Sequence, residues 1–136
     1  MDFSKSMAVA ASGMRAQSER MKIIAENIAN ANSTSPTKDG DPYRRKIATI
    51  SSEFDRELGA ATVNAGKPVM DQTAFRTRYD PGNPNADAQG YVKLPNVDSL
   101  VEIMDMREAQ RSYEADLNVM DSTKQMLAKT IDLLNK

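Results

Sequence analysis

Residues 21–36, MKIIAENIANANSTSP, carry a helical pattern into three asparagines, Asn27, Asn30 and Asn32, and then stop at Pro36. Working outward from this stretch, Met7, Met14, Met21 and Ile28 recur every seven residues. Phe3, Ala10, Gln17 and Ile24 occupy the complementary heptad positions. A strict seven-residue apolar repeat is the mark of a coiled-coil seam rather than of a broad amphipathic face. Asp2 or Ser4 can cap the start, and asparagine suits the end, because it tolerates the left-handed conformation and can bond the last carbonyls. The expected helix covers residues 3–31, roughly 43 Å at 1.5 Å per residue.

Residues 106–127, MREAQRSYEADLNVMDSTKQML, have the same character. Met106, Tyr113, Met120, Leu127 and Leu134 form one heptad set; Ile103, Gln110, Leu117, Lys124 and Ile131 form the other. Ser99 and Glu102 have capping-box spacing, with Pro95 just upstream. This predicts a helix over 97–134, about ten turns long.

Between the two lies everything that breaks helices. All six prolines and five of the six glycines fall between residues 36 and 95, and Gly13 is the exception. The chain therefore divides into an N-terminal helix (1–34), a small central β/loop region (35–96) and a C-terminal helix (97–136). In the centre, YRRKIATIS alternates enough for a strand, AFRTRYD and GYVKL are weaker candidates, and DPGNPNADAQG is turn chemistry throughout. Large apolar residues are too sparse there to cover both terminal stripes. The expected fold is mainly α: two long terminal helices packed as a coiled coil, with a small β-containing centre. The helices must pack on each other, on other copies, or both, and in the free chain they are expected to be loosely ordered.

Composition removes several functional classes. There are 18 basic and 19 acidic residues, without the basic excess of a nucleic-acid-binding domain. Neither cysteine nor histidine occurs, which excludes disulfides, thiol nucleophiles, zinc ribbons and the commonest general base. The start lacks a basic n-region and a long apolar core, and no stretch approaches the ~20 apolar residues of a membrane-spanning helix.

Ser12-Gly13-Met14, Ala16-Gln17, Arg20-Met21, Ile24-Ala25 and Asn27-Ile28-Ala29-Asn30 resemble the N-terminal signature of bacterial flagellar rod and hook proteins. Arg111, Tyr113, Glu114 and Ala115 resemble the second, C-terminal signature of that family. In the middle, Pro42-Tyr43-Arg44-Arg45-Lys46, Tyr79-Asp80-Pro81-Gly82, Gly90-Tyr91-Val92 and Pro95-Asn96-Val97 are similar to the proximal rod members, as is the small size. The resemblance lapses over about residues 52–74, and Asp116 stands where the family usually has asparagine. It implies a structural subunit, not an enzyme, without cofactor or metal. Such a subunit leaves through the flagellar type III export apparatus with no cleaved signal and joins the hollow, torque-carrying rod in the periplasm. Its partners would be other copies, other rod proteins and the adjoining basal-body and export-gate components, with no nucleic acid and no membrane insertion. The alternative is a helical adaptor or export chaperone that binds one partner helix.

Individual residues have plainer readings beside the assembly reading. The methionines of the first helix region, Met1, Met7, Met14 and Met21, serve either an ordinary core or adaptable contacts with non-equivalent neighbours. Asn27 and Asn30 either cap a helix or bond across to a neighbouring one. Tyr43-Arg44-Arg45-Lys46 suits a solvated strand or contacts with acidic neighbours better than a nucleic-acid platform. Asn83, Asn85 and Asp87 alternate as in a calcium loop, but Ala88 and Leu94 stand where that loop needs glycine and glutamate. Asp80 and Asp87 could pair as a glycosidase does, yet nothing nearby builds a pocket or raises a carboxyl pKa. Gly13 sits mid-helix among Ala10, Ala11, Ser12 and Ala16, which predicts a second helix passing close by. The expected interaction set is thus Met7, Gly13, Met14, Gln17, Met21, Ile24, Asn27, Ile28 and Asn30, with Tyr43, Arg44 and Arg45, and with Arg111, Tyr113, Glu114, Leu117, Met120, Leu127 and Ile131 from the second helix.

Overall fold

The computed structural model describes residues 2–136, so the role expected of Met1 lies outside the described residues. Two long helices enclose six short strands in chain order: α1 (Phe3–Ala29), β1 (Lys46–Ile47), β2 (Ile50–Asp55), β3 (Ala60–Ala65), β4 (Val69–Met70), β5 (Arg76–Tyr79), β6 (Tyr91–Leu94) and α2 (Ser99–Leu134). The strands form three separate two-stranded antiparallel sheets, β1 with β4, β2 with β3, and β5 with β6.

Asp2 caps α1: its carboxylate accepts from Lys5 N at 3.0 Å, and its carbonyl accepts from Ser6 N at 3.1 Å. At the other end, Asn30 Nδ2 donates to the Glu26 carbonyl at 2.8 Å. The left-handed terminus expected of asparagine is not used, since among the described residues only Gly59 and Gly90 have positive φ. A tighter turn closes the helix instead, from Ala31 N to Ile28 O at 3.2 Å. The start of α2 also departs from expectation. Asp98, not Ser99, is its cap, accepting from Leu100 N at 3.0 Å through its side chain and from Glu102 N at 3.0 Å through its carbonyl. Glu102 is thereby freed from a capping box and turns inward, 1% exposed.

The expected strand in YRRKIATIS is split between β1 and the start of β2, and the longest hairpin falls where none was expected. Six residue pairs join β2 to β3, from Ile50↔Ala65 to Asp55↔Ala60. Its tip is an Asx turn: Asp55 Oδ1 accepts from Glu57 N at 2.9 Å and Leu58 N at 3.1 Å. Gly59 then takes φ +70°, which L side chains rarely adopt. AFRTRYD and GYVKL do become β5 and β6, with Tyr79 and Tyr91 stacked edge-on at 5.3 Å between ring centroids.

Two compact units divide the chain, and each helix contributes to both. The first comprises Met1–Met21, Thr49–Lys67 and Arg107–Lys136; the second comprises Lys22–Ala48 and Pro68–Met106. The second unit has a core of Ile23, Ile24, Ala31, Ala86, Val92, Leu94 and Val97 around Asn27 and Glu102. In the first unit the buried residues are small: Ala10, Ser12, Ala16, Ala109 and Thr123. Burial scales with apolar area, so the units are unequally stabilised within one chain. Amide exchange on the free chain should therefore show stronger protection at residues 23–29 and 102–106 than at 117–134. Equal protection along α2 would contradict this distribution of stability.

Candidate assembly surfaces

In the second unit the polar residues of Asn27 and the Tyr43–Lys46 segment meet in one buried knot. Asn27 is 1% exposed and uses both ends of its amide. Its Nδ2 donates to Lys46 O at 2.8 Å and to Glu102 Oε2 at 3.3 Å. Its Oδ1 accepts from the Tyr43 hydroxyl at 2.7 Å and from Lys46 N at 3.0 Å. Arg45 donates through Nε to Glu102 Oε1, through Nη1 to Asp71 Oδ2 at 3.2 Å, and lies 3.7 Å from Asp105. Arg44 donates to the carbonyls of Asp71 and Thr73 at 2.9 and 3.2 Å, and lies 4.2 Å over the ring of Phe75. Lys46, expected to be exposed, is half-buried and pairs with Glu26 at 3.2 Å. The basic run thus meets acidic neighbours within its own chain.

The charges respond to this packing. Burial pushes the Tyr43 hydroxyl pKa up, helped by Glu26 and Glu102. The hydrogen bond to Glu102 raises that of Arg45 further. Hydrogen bonds from Thr73, and then from Arg45, hold the Asp71 carboxyl below its ordinary range. Asn27 does bond across to the other helix, through Glu102. Asn30 does not; it serves only the end of α1.

In the first unit the helices approach through small residues. A Cβ on Gly13 would collide with Asp116 Oδ2 and lie 3.1 Å from its Cγ. The expected neighbour of Gly13 is therefore present on α2, but it is a carboxylate side chain rather than backbone. Ser12 Oγ accepts from Val63 N at 3.1 Å and donates to Val9 O at 2.7 Å, which ties the hairpin to α1. Arg20 and Glu108 pair at 3.4 Å near the surface.

One of the two heptad sets on the inward face of α2 is displaced by one residue from the expected one, which turns the face by roughly 50°. Met106, Tyr113 and Met120 are half-buried, and their companions are Glu102, Ala109, Asp116 and Thr123. The other expected set, Ile103, Gln110, Leu117, Lys124 and Ile131, faces outward, as do Leu127 and, at 81% exposed, Leu134. Small residues let the helices come close, and that spacing displaces the larger apolar side chains to the outside. Arg111 and Glu114 are exposed, whereas Met7, Met14, Gln17, Met21 and Ile28 are half-buried and Ile24 is buried. Gln17 Oε1 is buried without a hydrogen-bond partner among the described residues.

Asp116 pays for its position in solvation: burial raises its carboxyl pKa. A raised folded-state value penalises the charged form at neutral pH, and the penalty vanishes below the unfolded value of about 3.9. Asp116→Asn should therefore stabilise the chain at pH 7 and give no gain at pH 3 in chemical denaturation. An equal gain at both pH values would contradict the desolvation argument.

Residues 7–35 match the model for flagella basal body rod proteins, and residues 88–133 match the C-terminal model of the flagellar basal body rod FlgEFG proteins. The chain is 52% identical over 126 residues to the flagellar basal-body rod protein FlgC of Agrobacterium fabrum, covering 93% of this chain and 91% of the relative. The chain belongs to the FlgC family of flagellar basal-body rod proteins. Its FlgC relatives include that of Salmonella typhimurium, 42% identical with 92% of each chain covered. The Aquifex aeolicus FlgC is 36% identical with 97% of each chain covered. The two matched segments leave residues 36–87 outside both models, and these residues contain the Tyr43–Arg45 part of the knot and the β2–β3 hairpin. Glu102, Asp71 and Asp116 were not anticipated as site residues. The available signal was a lone charge, Glu102, within the apolar run Leu100–Met104.

Proposed function

We infer that the chain is a structural subunit of the rod of the flagellar basal body, and not an enzyme. The observation that carries this reading is 52% identity to a FlgC over 93% of the chain. The subunit polymerises head to tail with copies of itself and with other rod proteins into the proximal part of a hollow shaft. The shaft turns with the motor and conducts exported subunits. The subunit reaches the periplasm through the flagellar type III apparatus without a cleaved leader.

The apolar exterior of α2 supports this reading. Leu117, Val119, Met126, Leu127, Ile131, Leu133 and Leu134 are all exposed in the isolated chain. An apolar exterior of this extent marks an interaction surface. Because it is spread along and around the end of α2, one partner helix would cover only part of it, which favours a tube over an adaptor with a single partner. Heterologous contacts repeated in one direction build open tubes rather than closed dimers.

A tagged chain should therefore fractionate with purified basal bodies, and recovery only in soluble fractions would contradict the reading. Leu127→Asp gives a sharper expectation. Leu127 is already exposed in the free chain, so its melting temperature should be nearly unchanged. Assembly would bury an unpaired carboxylate at a cost of several kcal/mol, and incorporation into basal bodies should be lost. Normal motility of the variant would remove this part of α2 from the assembly surface.

A further inference from the structure

We propose that the β5–β6 hairpin and the loops beside it bind a glycan, taking one pyranose ring into a polar cavity and stacking the next on Tyr91 and Tyr79. The site lies wholly within the second unit and is independent of the rod-subunit reading. A cavity of about 230 Å³ opens between residues 35–40, residues 85–87 and β6. No pocket was expected beside Asp87. Pockets for drug-sized ligands hold ~300–1,000 Å³, so this one has room for a single small ring.

The walls specify a polar, uncharged ligand. Ser35 and Thr37 bring hydroxyls and Asn85 an amide, while Val92 is the only aliphatic side chain there among the described residues. Lys38 and Lys93 are balanced by Asp39 and Asp87, and Asp41 also pairs with Lys93 at 3.4 Å. That balance leaves no cationic excess for a phosphate or carboxylate. A ligand rich in hydroxyls, each both donor and acceptor, fits such a mixture. Asp87 Oδ1 accepts from Gln89 N and Tyr91 N, both at 2.9 Å, while its Oδ2 accepts no hydrogen bond among the described residues. Asn85 spends Nδ2 on Ser35 O at 2.8 Å and likewise keeps Oδ1 open. Hydrogen bonds to an ionised carboxylate are the stronger kind.

The aromatic pair beside the cavity narrows this to a sugar ring. β6 buries Val92 and Leu94 and turns Tyr91 and Lys93 outward. Tyr91 lines the cavity, and Tyr79 stands opposite it in the register and so on the same face. The two rings are 46% and 64% exposed, yet they are held in place. They meet edge-on at 5.3 Å between centroids. Gly90, at φ +87°, leaves room for Tyr79: a Cβ there would lie 3.0 Å from Tyr79 Cε2 and 3.1 Å from Pro81 Cβ. Aromatics fixed before binding lose little freedom on binding. The face of an aromatic ring is electron-rich, and the axial C–H groups of a pyranose offer it a flat apolar face.

The test titrates the full chain with chitotetraose, with cellotetraose and with AMP, and follows the amide resonances. Saturable shifts at residues 35–40 and 77–93 are expected with at least one of the two glycans, and none there with AMP. Tyr79→Ala should weaken glycan binding about fivefold, the worth of one aromatic contact, and Tyr91→Phe should preserve it. Phe54→Ala removes an exposed aromatic of the other unit and should leave binding unchanged. A response to chitotetraose alone would add the acetamido group to what the site reads. The absence of shifts with both glycans, binding that Tyr79→Ala leaves intact, or tighter binding of AMP would each overturn the glycan site.

Discussion

Arg45→Met should destabilise the free chain by about 3–5 kcal/mol, the cost of removing one partner of a buried ion pair. Glu102 is 1% exposed, and without Arg45 its carboxylate keeps only the Asn27 amide at 3.3 Å. Asp71 and Asp105 would lose the same guanidinium. The loss should register in denaturant unfolding of the second unit and in weaker amide protection at residues 23–29. Replacing both partners tells the two costs apart. Arg45→Met with Glu102→Leu leaves no buried charge, so most of the stability should return, because apolar replacement of a whole buried pair is often neutral. If the double variant is as unstable as the single one, the Arg45–Glu102 pair is not the source of the loss.

Gly13→Leu should cost about 1–3 kcal/mol through overpacking, although leucine is the better helix former by nearly 1 kcal/mol. The reason is that even a Cβ at this position collides with the Asp116 carboxylate. The larger side chain should prise α1 and α2 apart in the first unit and abolish rod formation. Gly13→Ala distinguishes steric exclusion from propensity. Alone it must push the carboxylate aside; combined with Asp116→Ala it should show the propensity gain without the collision. A motile Gly13→Leu strain with ordinary stability would remove close packing as the reason for this glycine.

The helices were legible because the sequence concentrates its breakers between Pro36 and Pro95 and leaves long periodic runs outside. Asp2 and the turns of residues 80–90 follow from local chemistry, and so do β5 and β6. In that loop Asn83 and Asp87 give their side-chain oxygens to the backbone amides of Asn85, Gln89 and Tyr91. These are the Asx turns that the residue types favour.

What stayed hidden was decided at a distance. Glu102 reads as a capping residue because its partner, Arg45, is 57 positions away. One of the two heptad sets of α2 was misassigned because Ala109, Asp116 and Thr123 look like a solvent face, while Leu117 and Ile131 look like a seam. Packing of small residues against Gly13 reverses that order. The β2–β3 hairpin escaped notice because its turn, Arg56–Gly59, has none of the common two-residue signals, and its strands are rich in serine and alanine.

Deletion of the gene followed by isolation of basal bodies tests the central claim most directly. The account predicts particles that lack the rod and every structure beyond it, with both restored by the wild-type chain. Complete rods and ordinary flagella in the deletion strain would contradict it.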